Sequence, residues 1–226
     1  MKEFLKQKPY MYLTVFIVLV FSITAFFYLN VSENHKQEYL NQFNQSYEHQ
    51  IDISIDFYEE FSEYLFSKLI DDDVLEMMYL ASSNDPFIQD STRQLLYDYL
   101  IDDYHLITQY NFRQLHFHLP NGDSFLRFHQ PDTYGDNLFD ARSSIRIANT
   151  LHTVVRGFEE GKVYNGYRFV YPLFFDDTHV GSVEISISIA TLIDMLYDIQ
   201  PHKGHFFLIK KSVVESLVFD EFLENY

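Results

Sequence analysis

The sequence predicts an α+β protein that one N-terminal helix tethers to a membrane. Three features support this prediction: an apolar segment near the N-terminus, a long amphipathic helix directly after it, and a series of alternating strands with helices on either side. We therefore expect a transmembrane helix, a stalk helix and an antiparallel sheet with flanking helices.

The composition limits the classes of function. The chain has 226 residues, of which 47% are hydrophobic, so it can form an anchor and a packed core. A formal charge of −17 argues against a nucleic-acid partner, because two polyanions repel each other. The absence of cysteine excludes disulfides, thiol nucleophiles and thiolate metal sites, and nothing in the sequence indicates a cofactor.

Residues 9–30 are predicted to form the transmembrane helix. No charged residue occurs from Pro9 to Ser32, and a helix needs about 20 apolar residues to cross a bilayer. Three lysines within residues 1–8 precede this segment, so we expect residues 1–8 in the cytoplasm and the chain from about residue 31 outside a bacterial cytoplasmic (inner) membrane. A cleaved signal peptide is the alternative, but its apolar run would be shorter, roughly 7–15 residues.

Residues 31–82 are predicted to form a stalk region, with a helix over 33–70 and a short one over 74–81. Its apolar residues recur every three or four positions: Leu40, Phe43, Tyr47, Ile51, Tyr58, Phe61, Leu65 and Leu69. This stripe can pack on the protein's own domain, or it can pair with a second copy in a homodimer. A helix of this length can pack on the domain at one end and pair with a second copy at the other.

A mixed domain is predicted over residues 83–200. Asp85 and Pro86 are typical of the start of a helix, here over 86–108. A hairpin follows around Asn121-Gly122, then a helix near 140–155 stopped by Gly157. The remaining predicted elements are strands at about 165–174 and 179–189, a helix near 190–198, a strand over 206–210 and a short helical tail.

The first hairpin is predicted to have one apolar and one polar face. With Asn121-Gly122 as a two-residue turn, His116 lies opposite Arg127 and residues opposite each other share a face. The apolar face carries Leu115, Phe117, Leu119, Ser124, Leu126 and Phe128, and the polar face carries Gln114, His116, His118, Phe125, Arg127 and His129.

The polar face has two interpretations. It can be an ordinary solvated face, or a pocket for a small anion such as a carboxylate, which arginine and histidine side chains would bind by hydrogen bonds. A metal site formed by His116, His118 and His129 is a weaker alternative, because nothing fixes a coordination number.

The second hairpin leaves its register open. Ser182, Glu184, Ser186 and Ser188 share one face of the last strand. A three- or five-residue turn would place Arg168 on that face, whereas a two- or four-residue turn would place Phe169 and Tyr171 there. We expect Glu184 to pair with Arg168 or Arg127. No catalytic motif is visible, so the chain is not predicted to be an enzyme.

Several linked motifs over residues 90–190 resemble the double Cache (double sensory) domain of two-component sensor kinases and related transmembrane receptors, a PAS-like fold. They include Gln114–Pro120, Ser124–His129, Tyr134-Gly135-Asp136, Arg142, Gly157–Gly161, Asn165–Arg168 and His179–Glu184. The resemblance implies two PAS-like lobes outside the membrane, followed by a second membrane helix and an output domain.

Carried over to this chain, the resemblance places a complete membrane-distal lobe at residues 83–200 and only the start of a membrane-proximal lobe at 201–226. The pocket of the distal lobe would draw on Arg127, His129, Arg142, Arg168 and Glu184. The predicted function is therefore an extracytoplasmic small-molecule-sensing input domain of a histidine kinase, diguanylate cyclase or chemoreceptor, truncated before its output domain. The alternative is an envelope scaffold that binds a partner through its long helix.

Overall fold

The computed structural model of the chain describes residues 4–83, 85–161 and 165–217, so the predicted segments 1–8 and 201–226 are described only in part. The chain divides into two compact units, Met1–Asp52 and Ile53–Tyr226. Its helices are α1 (Phe4–Leu69), α2 (Asp72–Ala81), α3 (Pro86–Thr108), α4 (Ser143–Leu151), α5 (Ile189–Ile199) and α6 (Lys211–Leu217). Its strands are β1 (Phe112–His118), β2 (Ser124–Arg127), β3 (Val155–Glu159), β4 (Gly166–Phe175) and β5 (Thr178–Ser188).

The described part of the first unit, residues 4–52, is the N-terminal part of α1. The predicted membrane segment and the predicted stalk helix join here in one uninterrupted helix. Within it, a stretch that begins at Tyr10 is long and apolar enough to cross a membrane.

Helix α3 begins at Pro86 as the sequence predicts, and α2 begins at Asp72, two residues before the predicted start. The Asp71 carboxylate accepts a hydrogen bond from the Val74 backbone N–H at 3.0 Å, and Asp85 accepts from Phe87 at 2.9 Å. Both helices pack on one face of the sheet with the second-unit part of α1, where the Phe66 ring stacks on Tyr171 at 4.5 Å. The hydrophobic core lies between these helices and that face.

All strand pairs in the sheet are antiparallel, in the order β2-β1-β5-β4-β3. The face opposite the core is covered by α4, which contacts β3, β4 and β5. The mixed fold with flanking helices is the one that the sequence predicts.

Two predicted elements are wrong. The helix near 140–155 ends at Leu151, with His152 in a left-handed conformation (φ 56°), because Val155–Glu159 pairs with the edge of β4 as strand β3. Gly157 therefore lies within a strand and does not stop a helix. Residues 206–210 form no strand in the described part of the chain, because no described strand lies beside them to accept their backbone hydrogen bonds.

The first hairpin confirms the predicted pairing of His116 with Arg127 but corrects its turn end. A bulge near the turn pairs His118 with Ser124, so Ser124 faces the polar side. Phe125 lies in the hydrophobic core instead, with its ring 5.1 Å from the Arg93 guanidinium. The turn has three residues between Leu119 and Asp123, and Gly122 supplies the positive φ of 85° that such a loop needs.

The second hairpin combines a two-residue turn with a bulge. Asp176 and Asp177 form the turn, both at positive φ, which alone would place Phe169 and Tyr171 on the face of Glu184. A register shift beside Leu173 adds one residue to β5 and moves the pairing by one position. Arg168 therefore lies opposite Ser186, on the face of Glu184.

Candidate functional site

The sheet face beneath α4 carries a buried set of polar side chains, which we call the polar cluster. Strands β1, β4 and β5 supply most of it, because every second residue of a strand points to the same face. The cluster comprises Gln114, His116, His118, Ser124, Arg142, Asn149, Glu159, Arg168, Ser182, Glu184 and Ser186.

Glu184 is central to the polar cluster and is fully buried. One carboxylate oxygen accepts a hydrogen bond from Arg168 at 2.5 Å, and the other accepts from Arg142 at 2.5 Å. Burial raises the pKa of a carboxyl, but the two guanidinium groups outweigh it and hold the pKa of Glu184 well below its usual range. Glu184 is therefore a charged carboxylate with two cationic partners.

Arg142 also ties α4 to the edge strand. Its Nε donates to Glu159 at 2.7 Å, and the backbone N–H of Ser144 donates to the other Glu159 oxygen at 3.0 Å. Burial raises the pKa of Glu159, and the contacts with Arg142 and Ser144 lower it further than burial raises it. Arg142 thus bridges two carboxylates at the start of α4.

Two histidine rings contact each other beside this ion-pair network, with their planes tilted by 56°. The ring centroids of His116 and His118 lie 4.0 Å apart. His116 Nε2 lies 2.8 Å from the Ser124 hydroxyl, and His118 Nδ1 lies 3.0 Å from the Ser182 hydroxyl. Burial lowers the pKa of His118 to about 3 and the pKa of His116 well below its usual value, so both rings are neutral at neutral pH.

Four of the residues predicted to form the site meet in the polar cluster: His116, Arg142, Arg168 and Glu184. The expected pairing of Glu184 with Arg168 is confirmed. Arg127 takes a different partner, since its guanidinium binds both oxygens of Asp136 at 2.8 and 2.9 Å.

His129 lies just past the end of β2 and is half-buried. Burial lowers the pKa of its imidazole to about 4. Arg127 and His129 therefore border the polar cluster on the side of the segment that links β2 to α4.

Sequence reasoning missed three members of the arrangement. Glu159 lies in β3, where the sequence predicts no strand, although the Gly157–Gly161 motif includes it. Asp136, the partner of Arg127, belongs to the Tyr134-Gly135-Asp136 motif. Asn149 is one polar residue on a short helix, and no local signal separates it from a surface residue.

A metal site is disfavoured by the geometry. Potential ligand atoms of His116, His118 and Glu184 lie within 4.8 Å of one another, so Glu184 takes the place predicted for His129. Both oxygens of Glu184 accept hydrogen bonds from arginines, however. A cation would have to displace a guanidinium and then remain beside it.

Comparison with solved structures shows what the fold is similar to. The sensor domain of the histidine kinase DctB from V. cholerae is similar, with a TM-score of 0.50 and 14% identity over 67% of this chain and 58% of that one. The ligand-binding domain of the Campylobacter jejuni chemoreceptor Tlp3, solved with 4-methylisoleucine, has a TM-score of 0.45 and 14% identity over 65% and 58%. The chain thus spans less than two thirds of these sensor domains.

The family follows from the sequence. The family described as "Double sensory domain of two-component sensor kinase" matches residues 81–219, and the chain belongs to it. The comparison with curated proteins gave no match. The domain is a sensory input domain. Among the described residues, one helix is long and apolar enough to cross a membrane.

Proposed function

We propose that this chain is the extracytoplasmic input domain of a transmembrane receptor and that it binds a small carboxylate at the polar cluster. The observation that supports this most strongly is the pair of buried arginines on Glu184 beneath a helix of only nine residues. Buried charges of this density cost several kcal/mol to desolvate, so such groups are typical of sites with a function beyond stability.

Arg142 is the residue that a ligand would engage first. It directly precedes α4, and its guanidinium donates hydrogen bonds to both Glu159 and Glu184. A carboxylate that enters beneath α4 can accept two parallel hydrogen bonds from this guanidinium, which is the favoured geometry of such pairs. Arg142 would then release one of its own carboxylates, and the start of α4 would shift relative to β3.

Replacement of Arg142 tests this proposal. We expect Arg142→Gln to weaken binding of the responding carboxylates at least tenfold, because a charged hydrogen bond contributes about 1.5–3 kcal/mol. The full chain, kept in detergent, is screened by calorimetry against acetate, propionate, lactate, succinate and malate. The matched control is Arg146→Gln, an exposed arginine one turn later on α4.

Binding that is equal in wild type, Arg142→Gln and Arg146→Gln would place the carboxylate elsewhere. A screen in which no carboxylate binds the wild-type chain would remove the proposed ligand class.

The arrangement of the whole receptor is also part of the proposal. Residues 1–8 lie in the cytoplasm and the sensory domain outside the inner membrane, as the N-terminal lysines favour. The apolar stripe that includes Leu40 pairs with a second copy of the chain. The output is a kinase, cyclase or chemotaxis domain that acts downstream of this input domain.

A further inference from the structure

Strand β3 lies at the edge of the sheet and makes side-chain contacts on both of its faces. Among the described strands it pairs only with β4, and none of its residues belongs to the hydrophobic core. Because successive side chains of a strand point to opposite faces, Glu159 contacts α4 and Arg156 contacts α1. The position of β3 therefore depends on its pairing with β4 and on these side-chain contacts.

On the face toward α4, β3 carries Glu159, which is a member of the polar cluster. Its carboxylate accepts hydrogen bonds from Arg142 Nε at 2.7 Å, from Ser143 Oγ at 2.9 Å and from Ser144 Oγ at 2.6 Å. All three donors lie at the start of α4. A displacement of this end of α4 therefore acts directly on β3.

On the face toward α1, β3 carries Arg156. Its guanidinium contacts the Glu59 carboxylate at 2.5 Å through Nη1 and the Glu63 carboxylate through Nη2. The two glutamates lie one helical turn apart on α1, so both reach the same arginine. Between 28% and 51% of each of the three side chains is exposed. A partly exposed ion pair adds little stability, so this contact can break and re-form when β3 moves.

We propose that β3 transmits occupancy of the polar cluster to α1 through Arg156. This inference rests on the proposed carboxylate site and adds how that site is coupled to the helix that contains the apolar stretch. A carboxylate that takes Arg142 from Glu159 removes a charged partner of β3 on the α4 side. The strand then shifts, and the contacts of Arg156 with Glu59 and Glu63 weaken.

A double-mutant cycle tests the coupling without any ligand. Urea unfolding of the full chain in detergent compares Arg142→Gln, Arg156→Gln and the double variant. The two arginines share no ion-pair partner among the described residues, so without a link through β3 their effects would be additive. We expect the unfolding equilibrium constant of the double variant to differ at least about threefold from the additive value.

The control cycle pairs Arg142→Gln with Lys68→Gln. Lys68 is an exposed cation in the last turn of α1 that lies over the Tyr64 ring, and this cycle should be additive. Ser144→Ala, which removes one hydrogen bond from Glu159, replaces Arg142→Gln if that variant does not fold. An additive cycle with Arg156→Gln would overturn the link through β3.

Calorimetry then tests whether binding uses this link, with acetate, propionate, lactate, succinate and malate as probes. We expect Arg156→Gln to bind the responding carboxylates at least about threefold more tightly, because the ion pair holds β3 in its ligand-free position and binding must overcome that restraint. The variant that combines Glu59→Gln with Glu63→Gln should bind as Arg156→Gln does. Glu60→Gln changes an exposed carboxylate next to Glu59 and should keep the wild-type affinity.

The outcomes separate this inference from the proposed function. Equal affinity of Arg156→Gln and the wild type would overturn the transmission and leave the carboxylate site in place. An equal gain in Glu60→Gln would also overturn it, as a general effect of charge. If no probe binds the wild-type chain, the carboxylate site is overturned, and the double-mutant cycle still decides whether β3 links the polar cluster to α1.

Discussion

At the scale of single residues, the buried imidazoles of the polar cluster make the protein sensitive to acid. The pKa of His118 is lowered to about 3 in the folded chain, whereas an unfolded histidine has a pKa of about 6.5. Between these values the unfolded state binds more protons, so the free energy of unfolding falls as the pH falls. The pKa values of Glu184 and Glu159 are also depressed, so the free energy of unfolding continues to fall below pH 4.

We therefore expect the free energy of unfolding to decrease between pH 7.5 and pH 5. Each buried histidine contributes a slope of up to about 1.4 kcal/mol per pH unit below 6.5, so His116 and His118 together give roughly 2–4 kcal/mol. Urea unfolding of the full chain at several pH values measures this.

His118→Asn should lower the slope, and His105→Asn, which changes an exposed histidine on α3, should not. A wild-type chain that is equally stable at both pH values would contradict the burial of neutral imidazoles.

At the scale of elements, the bulge in β5 decides which side chains reach the polar cluster. Gly181 follows the bulge at φ 135°, and a Cβ there would lie 2.1 Å from the backbone oxygen of His118. Only glycine permits both this conformation and this approach. The bulge therefore depends on one small residue that packs against β1.

Gly181→Ala is expected to destabilise the domain by more than about 3 kcal/mol, because backbone strain costs 1–3 kcal/mol before any clash is added. Gly135→Ala is the matched control. Gly135 also has a positive φ of 88°, but a Cβ there meets nothing within 4 Å. Comparison of the two thermal unfolding midpoints separates the clash from the strain, and similar losses in both variants would argue against the close approach.

The elements that the sequence predicts well are those with local signals. Asp85 and Pro86 mark a helix start, and Asn121-Gly122 marks the first turn. Strand β3 could not be predicted, because Val155–Glu159 becomes a strand only where the edge of β4 is available to it. The bulges in the two hairpins could not be predicted either, because contacts between distant residues determine where they form.

The candidate site was predicted in its residue types and only partly in its pairings. Arg168 and Glu184 meet across one hairpin, 16 residues apart, and a register argument can bring them together. Arg142 reaches Glu184 across 42 residues, and Asn149 reaches Ser182 across 33. These contacts depend on how α4 lies on the sheet, which no local pattern specifies.

At the scale of the whole molecule, the absence of cysteine allows a direct test of topology and pairing. We expect Leu40→Cys to form a crosslinked dimer when intact cells are treated with a membrane-impermeant thiol crosslinker, because the proposed arrangement has the stripe outside the membrane and against a second copy. Gln42→Cys lies on the opposite side of the same helix and should crosslink poorly.

Gel electrophoresis after treatment reads the result. A dimer that forms only in permeabilised cells would reverse the orientation, and equal crosslinking of the two variants would contradict pairing along the stripe.

Glu184 has a consequence for sensitivity. It already holds the guanidinium groups that an incoming anion would need, so the charges of the resting cluster are balanced before any ligand arrives. At the proposed carboxylate site, binding would be an exchange, in which an external carboxylate competes with one that the protein carries itself. The concentration at which such a sensor responds is set as much by the strength of its internal ion pair as by the ligand.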